Sequence, residues 1–277
     1  MSQGFMIFAF NNAKIDYLAQ AIWVGHRIRE YLDKPVTIVT DVASFEEHAQ
    51  HLAAFNVIQT EPLALGQRNF DIFNDDRVAL WYNANRYQAY AITPYDETIV
   101  IDSDYIVSSG QLNLLFDSPH DFLTHRAVHD VTSKNSFEAF DTFGTTQMPH
   151  YWATVLYFRK GALAKQIFNL VTMIKTNYKY YSKLYQFMGH PYRNDYAVSL
   201  AQLIAYGHRI DAVPSIPWLL NTAPADATIT QIDDKTFEFR YEKWIHGQPA
   251  PKNMRVKISE QDVHCLEKFS MGEMISG

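Results

Sequence analysis

A single cysteine, Cys265, stands in a chain of 277 residues. One thiol excludes an internal disulfide and fits a reducing compartment. No apolar run approaches the roughly 18 residues that a membrane span requires. The opening residues Met1-Ser2-Gln3-Gly4-Phe5 carry no basic stretch, and the apolar run that follows stops at Asn11. A first strand is expected there, not a signal peptide. These absences predict a soluble, cytoplasmic protein with no membrane partner. Acids are also missing from Thr142 to Asn194, where Arg159, Lys160, Lys165, Lys175, Lys179, Lys183 and Arg193 all fall. The whole chain carries a net charge of −6. That balance argues against a surface that binds polyanions everywhere and makes the one acid-free block the informative asymmetry.

What is present suits a large core. Hydrophobic residues make up 47% and charged residues 19%, and the length allows one large α/β domain or two small ones. Phe5 to Phe10 reads as a strand followed by a polar turn. Ile15 to Leu32 has apolar residues at helical spacing, namely Leu18, Ile22, Ile28 and Leu32. Val36 to Asp41 reads as a second strand, Ser44 and Glu47 as a capping box for a second helix, and Val57-Ile58 as a short strand. A helix is expected over Val78 to Ile92, closed by Pro94. This alternation predicts a mostly parallel sheet flanked by helices. Further on, Ala153 to Phe158 reads as a strand, Ala162 to Phe187 as one long helix or two, and Asp195 to Tyr206 as a helix. Thr236 to Tyr241 and Met254 to Ile258 alternate like antiparallel strands. No repeat or linker divides the chain, so one domain over 1–277 is expected.

The apolar run Thr98-Ile99-Val100-Ile101 ends in Asp102-Ser103-Asp104. In an extended backbone residues i and i+2 point the same way, which sets two carboxylates side by side at a strand's carboxyl edge. In open α/β sheets ligands bind at that edge. Two hard oxygen ligands there suit Mg²⁺ or Mn²⁺, and such ions hold diphosphates. The competing reading is a turn closed by Asx hydrogen bonds.

The stretch Arg86-Tyr87-Gln88-Ala89-Tyr90, then Pro94 through Val107 with the Asp pair inside it, then Leu112-Asn113-Leu114-Leu115-Phe116, resembles the GT-A nucleotide-sugar glycosyltransferases, and within them the glycogenin-like family 8 pattern. The resemblance covers about 30 residues; elsewhere only the element order matches. It implies a GT-A fold with a Rossmann-like nucleotide-sugar-binding half over 1–118. Over 119–277 it implies an acceptor-binding half that ends in a metal- and phosphate-binding segment. It implies Mn²⁺ or Mg²⁺ as cofactor, held by Asp104 and by Asp102, which also reaches the ribose. Phe10, Asn11, Asn12 and Tyr17 would hold the nucleoside of a donor expected to be UDP-linked, and Asp41 would accept from a uracil ring. Arg86 would contact the diphosphate or donor sugar, with Ser103 beside it. The family takes a third metal ligand, often His, from near the C-terminus. Two candidates stand open: His264, with Lys268 four residues on, so that a helical turn would put both on one face, and His246, with Lys252 six residues on. Lys268 would bind phosphate. Asp195, at a helix start, would be the catalytic base of an inverting enzyme, would orient the sugar in a retaining one, or would simply favour the helix dipole.

Within the acid-free block, residues 175–185 interleave lysines with tyrosines, and the segment 159–193 is expected to meet the acceptor. Cations neutralise phosphates and aromatics stack on bases. The expected acceptor is therefore DNA carrying a hydroxymethylated base, as in phage DNA-modifying enzymes, with the base extruded. A saccharide or protein acceptor is the alternative, and a solvated lysine face over packed tyrosines is the plainest reading. A haloacid-dehalogenase-like phosphatase also places Asp-x-Asp after a strand, but near its N-terminus and with Thr or Val where Ile106 stands here. Nucleotidyltransferases carry a glycine-rich loop after strand one, where this chain has Asn11-Asn12-Ala13-Lys14. A nucleotide-binding module without catalysis is the remaining rival.

Overall fold

The structure, a computed structural model, describes residues 1–63, 67–69, 78–82, 85–134 and 141–276. The chain opens with β1 (Gln3–Phe8), α1 (Tyr17–Leu32), β2 (Val36–Thr40), α2 (Val42–His48) and β3 (Asn56–Gln59). Short strands β4 (Gln67–Asn69) and β5 (Val78–Leu80) pair with each other, and α3 (Ala89–Ile92) leads into β6 (Glu97–Ile101). There follow β7 (Tyr105–Ile106), β8 (Phe122–His125), β9 (Val128–Asp130), the small pair β10 (Thr142–Phe143) and β11 (Met148–Pro149), and the long β12 (Trp152–Arg159). Helices α4 (Ala162–Thr176), α5 (Tyr178–Leu184) and α6 (Asn194–Ala205) come next. The chain closes with β13 (Leu220–Ala223), β14 (Thr228–Gln231), β15 (Thr236–Lys243), β16 (Lys252–Ser259), β17 (Val263–Cys265) and α7 (Lys268–Ser276).

The central sheet runs β3-β2-β1-β6-β12-β8. Its first four strands are parallel, and β12 alone is antiparallel to its neighbours. The protein is therefore a mixed α/β structure with a mostly parallel sheet, as the alternation predicts. The strands are buried on both faces, which is why β1, β2 and β6 read as continuous apolar runs. Alternate residues feed two cores: Phe5, Ile7, Ile99 and Ile101 pack against α1, while Met6, Phe8 and Val100 pack against α4 and α6. A four-stranded sheet, β7-β17-β13-β9, lies beyond the end of β6, and β14-β15-β16 form an antiparallel sheet. No helix among the described residues is long and apolar enough to cross a membrane.

Two local expectations change, and a third, one long helix or two, is resolved. The α2 cap is Asp41, whose carboxylate accepts from Ser44 N at 2.8 Å and from Ser44 Oγ at 2.9 Å; the acid outcompetes the hydroxyl for the first free amides. The expected helix over Val78 to Ile92 begins instead as β5, because pairing with β4 satisfies its backbone; helical turns start at Asn85, and residues 83–84 lie outside the described residues. The segment Ala162 to Phe187 is two helices, broken at Asn177.

Candidate active site

β6 stops hydrogen-bonding in register at Ile101. The Asp102 amide then donates to Thr154 O at 3.0 Å, and the chain turns to enter β7. Asp102 and Asp104 thus come from a turn and not from an extended edge, which corrects the geometric premise for their pairing. They still converge. An oxygen of Asp102 lies 3.8 Å from His264 Nε2 and one of Asp104 lies 3.6 Å from it. The three ligand atoms fall within 4.8 Å of one another. Two carboxylate oxygens and one imidazole nitrogen at that spacing fit a divalent cation.

His264 sits in the middle of β17, beside Tyr105 on one side and Thr222 on the other. Lys268 is the first residue of α7 and donates to the Asp104 carboxylate. The pair does not share a helical face, as the spacing suggests. A strand, a corner and a helix start bring imidazole and ammonium to the same acid. His246 is exposed in the loop after β15 and is not part of the cluster.

Arg86, from the turn before α3, donates to the Asp102 carboxylate and to Ala153 O at 2.6 Å. Burial pulls its guanidinium down to about 10, and it stays charged at neutral pH. Burial pushes the Asp104 carboxyl up, but Lys268 and His264 outweigh that and hold it well below the usual carboxylate range. Asp104 is therefore ionised, and each of the two acids touches a cation. Asp195, on the first turn of α6, accepts from Ala153 N at 2.9 Å and from Arg193 at 2.8 and 3.1 Å. Burial raises this carboxyl too, yet Arg193, His150 and the Ala153 amide together hold it at about 2.

These groups line one cleft. It gathers Phe10, Tyr17, Arg86, Asp102, Ser103, Asp104, Asp195, His264 and Lys268 from the residues singled out in the sequence. Asn11, Asn12 and Asp41 line a neighbouring groove instead, with Tyr82 common to both. Asn11 Oδ1 accepts from Leu18 N, Asn12 Oδ1 from Lys14 N and Ile15 N, and Asp41 caps α2. All three thus shape the turns at the cleft's edge. Arg193, expected only as part of the basic block, holds Asp195, and the aromatic wall of Trp81, Tyr82 and Trp152 has no counterpart among the expected site residues. Arg193 lies two residues from Asp195, a signal that was present; the tryptophans carry no local signature of a site.

The basic block is less free than its composition suggests. Arg159 pairs with Glu97 and Asp121, Arg193 with Asp195, and Lys160 donates to Thr93 O. Lys175 covers the Tyr87 ring at 4.3 Å, and Tyr178 packs against Phe187 and Tyr192. Lys165, Lys179, Lys183 and Tyr180 remain exposed.

No family model matches the chain, and no curated protein matches it. Among solved structures it is similar to the glycosyltransferase GlyE of Streptococcus pneumoniae TIGR4, at 13% identity and a TM-score of 0.46, over 78% of this chain and 46% of GlyE. It is similar to the galactosyltransferase LgtC in complex with donor and acceptor sugar analogues, at 14% identity and a TM-score of 0.44, over 71% of this chain and 69% of that one. It is also similar to the 4-diphosphocytidyl-2C-methyl-D-erythritol synthase of Anaerococcus prevotii, at 10% identity and a TM-score of 0.38, over 78% and 88%. The chain thus spans about half the length of GlyE.

Proposed function

We propose that this protein is a metal-dependent glycosyltransferase that moves a sugar from a nucleotide-sugar, a UDP-sugar in the first instance, to a hydroxyl acceptor. The observation that carries the reading is the meeting of Asp102, Asp104 and His264 with two cations, Arg86 and Lys268, just past the carboxyl end of β6. Mn²⁺ or Mg²⁺ held by the three ligands would neutralise charge that builds on a leaving diphosphate. Lys268 already binds an oxyanion, Asp104, and a phosphate oxygen is a chemically equivalent partner. Arg86 is tied to Ala153 O, so it faces the donor from a fixed position. Phe10 and Tyr17 offer flat apolar surface to a nucleoside at the cleft wall.

The environment of Asp195 speaks to its role. A carboxylate held at about 2 is a poor proton acceptor near neutrality. It stays charged, and its two oxygens are fixed by Arg193 and the Ala153 amide. This supports orientation of the sugar, and stabilisation of positive charge on it, over general-base catalysis. For the acceptor, exposed Lys165, Lys179, Lys183 and Tyr180 support a polyanion, DNA with a hydroxymethylated base being the specific reading.

Thermal-shift measurements with Mn²⁺ plus UDP, GDP or ADP test the donor site. Stabilisation by one nucleotide that depends on Mn²⁺ and vanishes in Asp104→Ala is expected; stabilisation that survives the substitution unchanged would overturn the reading. A gel-shift titration against salt tests the acceptor. Absence of duplex binding at low salt removes DNA and leaves the saccharide or protein acceptor.

A further inference from the structure

The β15–β16 hairpin holds charges that its own stability does not call for. Residues 236–259 contain five cations, Arg240, Lys243, Lys252, Arg255 and Lys257, and two acids, Glu238 and Glu242, in a chain of net charge −6. The ladder sets Arg240 directly opposite Arg255 and Lys243 directly opposite Lys252. Like charges in directly opposed positions destabilise a strand pair. Glu238 offsets part of this: it accepts from Arg240 Nε at 2.7 Å and lies 3.9 Å from Arg255 Nη1. Both arginines are nevertheless mostly in solvent, with side chains 63% and 73% exposed. Lys252 is exposed as well.

The tip between these strands has the opposite character. Residues 244–251 hold no Lys, Arg, Asp or Glu. Gln248 N donates to Ile245 O at 3.1 Å and Gly247 takes a φ of 80°, so the chain reverses in a closed turn. The turn leaves Trp244 69% exposed, with Ile245 and the neighbouring Met254 at 39% and 37%. Behind the tip the hairpin is tied down: Tyr241 Oη donates to Thr132 O at 3.0 Å and Lys243 Nζ to Ser133 O at 2.6 Å. A fixed stem thus offers solvent an apolar tip ringed by cations.

We propose that this hairpin anchors the protein to an anionic lipid surface: Trp244 and Ile245 enter the headgroup layer, and Arg240, Lys243, Lys252 and Arg255 meet lipid phosphates on both faces of the stem. Indole, with an apolar body and a polar N–H, settles at the boundary between headgroups and acyl chains. Each Lys or Arg close to an anionic lipid surface strengthens attachment about fivefold. The phosphates would also relieve the like-charge pairs that the free hairpin bears. A nucleic acid supplies phosphates too, and its bases can stack on Trp244. Ile245 and Met254 have no such partner in it, and an uncharged tip gives a phosphate backbone nothing to follow. An anchor in the headgroup layer needs no membrane-spanning helix, so the lack of a long apolar run does not bear on it. No residue of the hairpin lines the cleft, and attachment to lipid is independent of what the cleft transfers.

Vesicle flotation of the full chain tests the anchor, with vesicles of phosphatidylcholine alone or mixed with phosphatidylglycerol. The parent should float only with the mixed vesicles and be released by high salt. Attachment should weaken by about tenfold or more in Trp244→Ser/Ile245→Ser, which removes the apolar tip. In Lys252→Gln/Arg255→Gln it should weaken by about 10–30-fold. Tm should hold in the first variant, whose changed side chains are exposed, and hold or rise in the second, which relieves both like-charge pairs. A parent that does not float with the mixed vesicles, or flotation unchanged in both variants, overturns the anchor. Binding to a single-stranded oligonucleotide but not to vesicles, lost in both variants, assigns the hairpin to nucleic acid instead and overturns it equally.

Discussion

Replacing Lys268 with methionine keeps most of the side chain's length and removes its charge. The ammonium touches Asp104, whose side chain is 6% exposed, while the lysine side chain is 19% exposed. Removing one partner of a buried pair costs ~3–5 kcal/mol. Water at the lysine end lowers this, and ~2–3 kcal/mol is expected. A chain of this length unfolds with an entropy of ~0.6 kcal/mol per kelvin, so Tm without metal should fall by ~3–5 °C. With Mn²⁺ present the sign reverses. A divalent ion and an ammonium sharing one carboxylate, roughly 5 Å apart, repel by ~7 kcal/mol at an effective dielectric constant of 20. The ammonium relieves most of that by swinging outward. If ~1–2 kcal/mol survives, Lys268→Met binds Mn²⁺ about 5–30-fold more tightly than the parent. UDP binding in the presence of Mn²⁺ should weaken by ~10–100-fold, because a charge-assisted phosphate contact is gone. Calorimetric titration gives both constants and scanning fluorimetry gives Tm, with His246→Ala as a control that leaves the Mn²⁺ constant unchanged. Mn²⁺ affinity that is equal or weaker in Lys268→Met would refute the argument that ammonium and cation compete for Asp104.

Asp195→Asn should lower kcat by ~10²–10³-fold while leaving Mn²⁺-dependent nucleotide binding intact; steady-state rates within threefold of the parent would remove Asp195 from the reaction. His125 supplies a pH dependence. Burial holds its imidazole down at about 4 against an ordinary 6.5, so between those values the unfolded chain binds the proton and the folded one does not. The contribution is full above pH 6.5 and ~3 kcal/mol is lost as pH falls through 6.5 to 4. Urea unfolding at pH 7 and pH 4.5 tests this against His125→Gln; an equal acid loss in both proteins rules His125 out as the cause. Gly4→Ala would place a methyl 2.4 Å from the Tyr95 ring, which is buried and tied to Thr37 Oγ1 at 2.9 Å. A loss of ~1–3 kcal/mol is expected from overpacking, and an unchanged urea midpoint would show that the ring gives way.

The fold was most legible where one strand or helix carries its own period. β1, β2 and β6 are long enough, and buried enough on both faces, to read as apolar runs, and α1 shows its stripe through Leu18 and Ile28. Strands β8, β9, β13 and β17 have three or four residues each, too few for alternation to rise above chance, and they exist because neighbours complete their hydrogen bonds. Val78 to Leu80 failed for the same reason in reverse: a helical spacing was visible, and a pairing partner outside the window decided the backbone.

In the site, residue identity was more legible than geometry. Asp102 and Asp104 were expected together because an extended strand would align them, and His264 and Lys268 because a helix would. Neither backbone is present, yet all four side chains meet. Two carboxylates this enclosed need compensating partners wherever the backbone takes them. Arg86 comes from 16 residues away in sequence, within reach of a motif, and Lys268 from 164. The second distance cannot be read from any spacing in the first half of the chain. It could only enter through a resemblance to other chains, because the demand for a compensating charge says that a cation must come and not where it comes from.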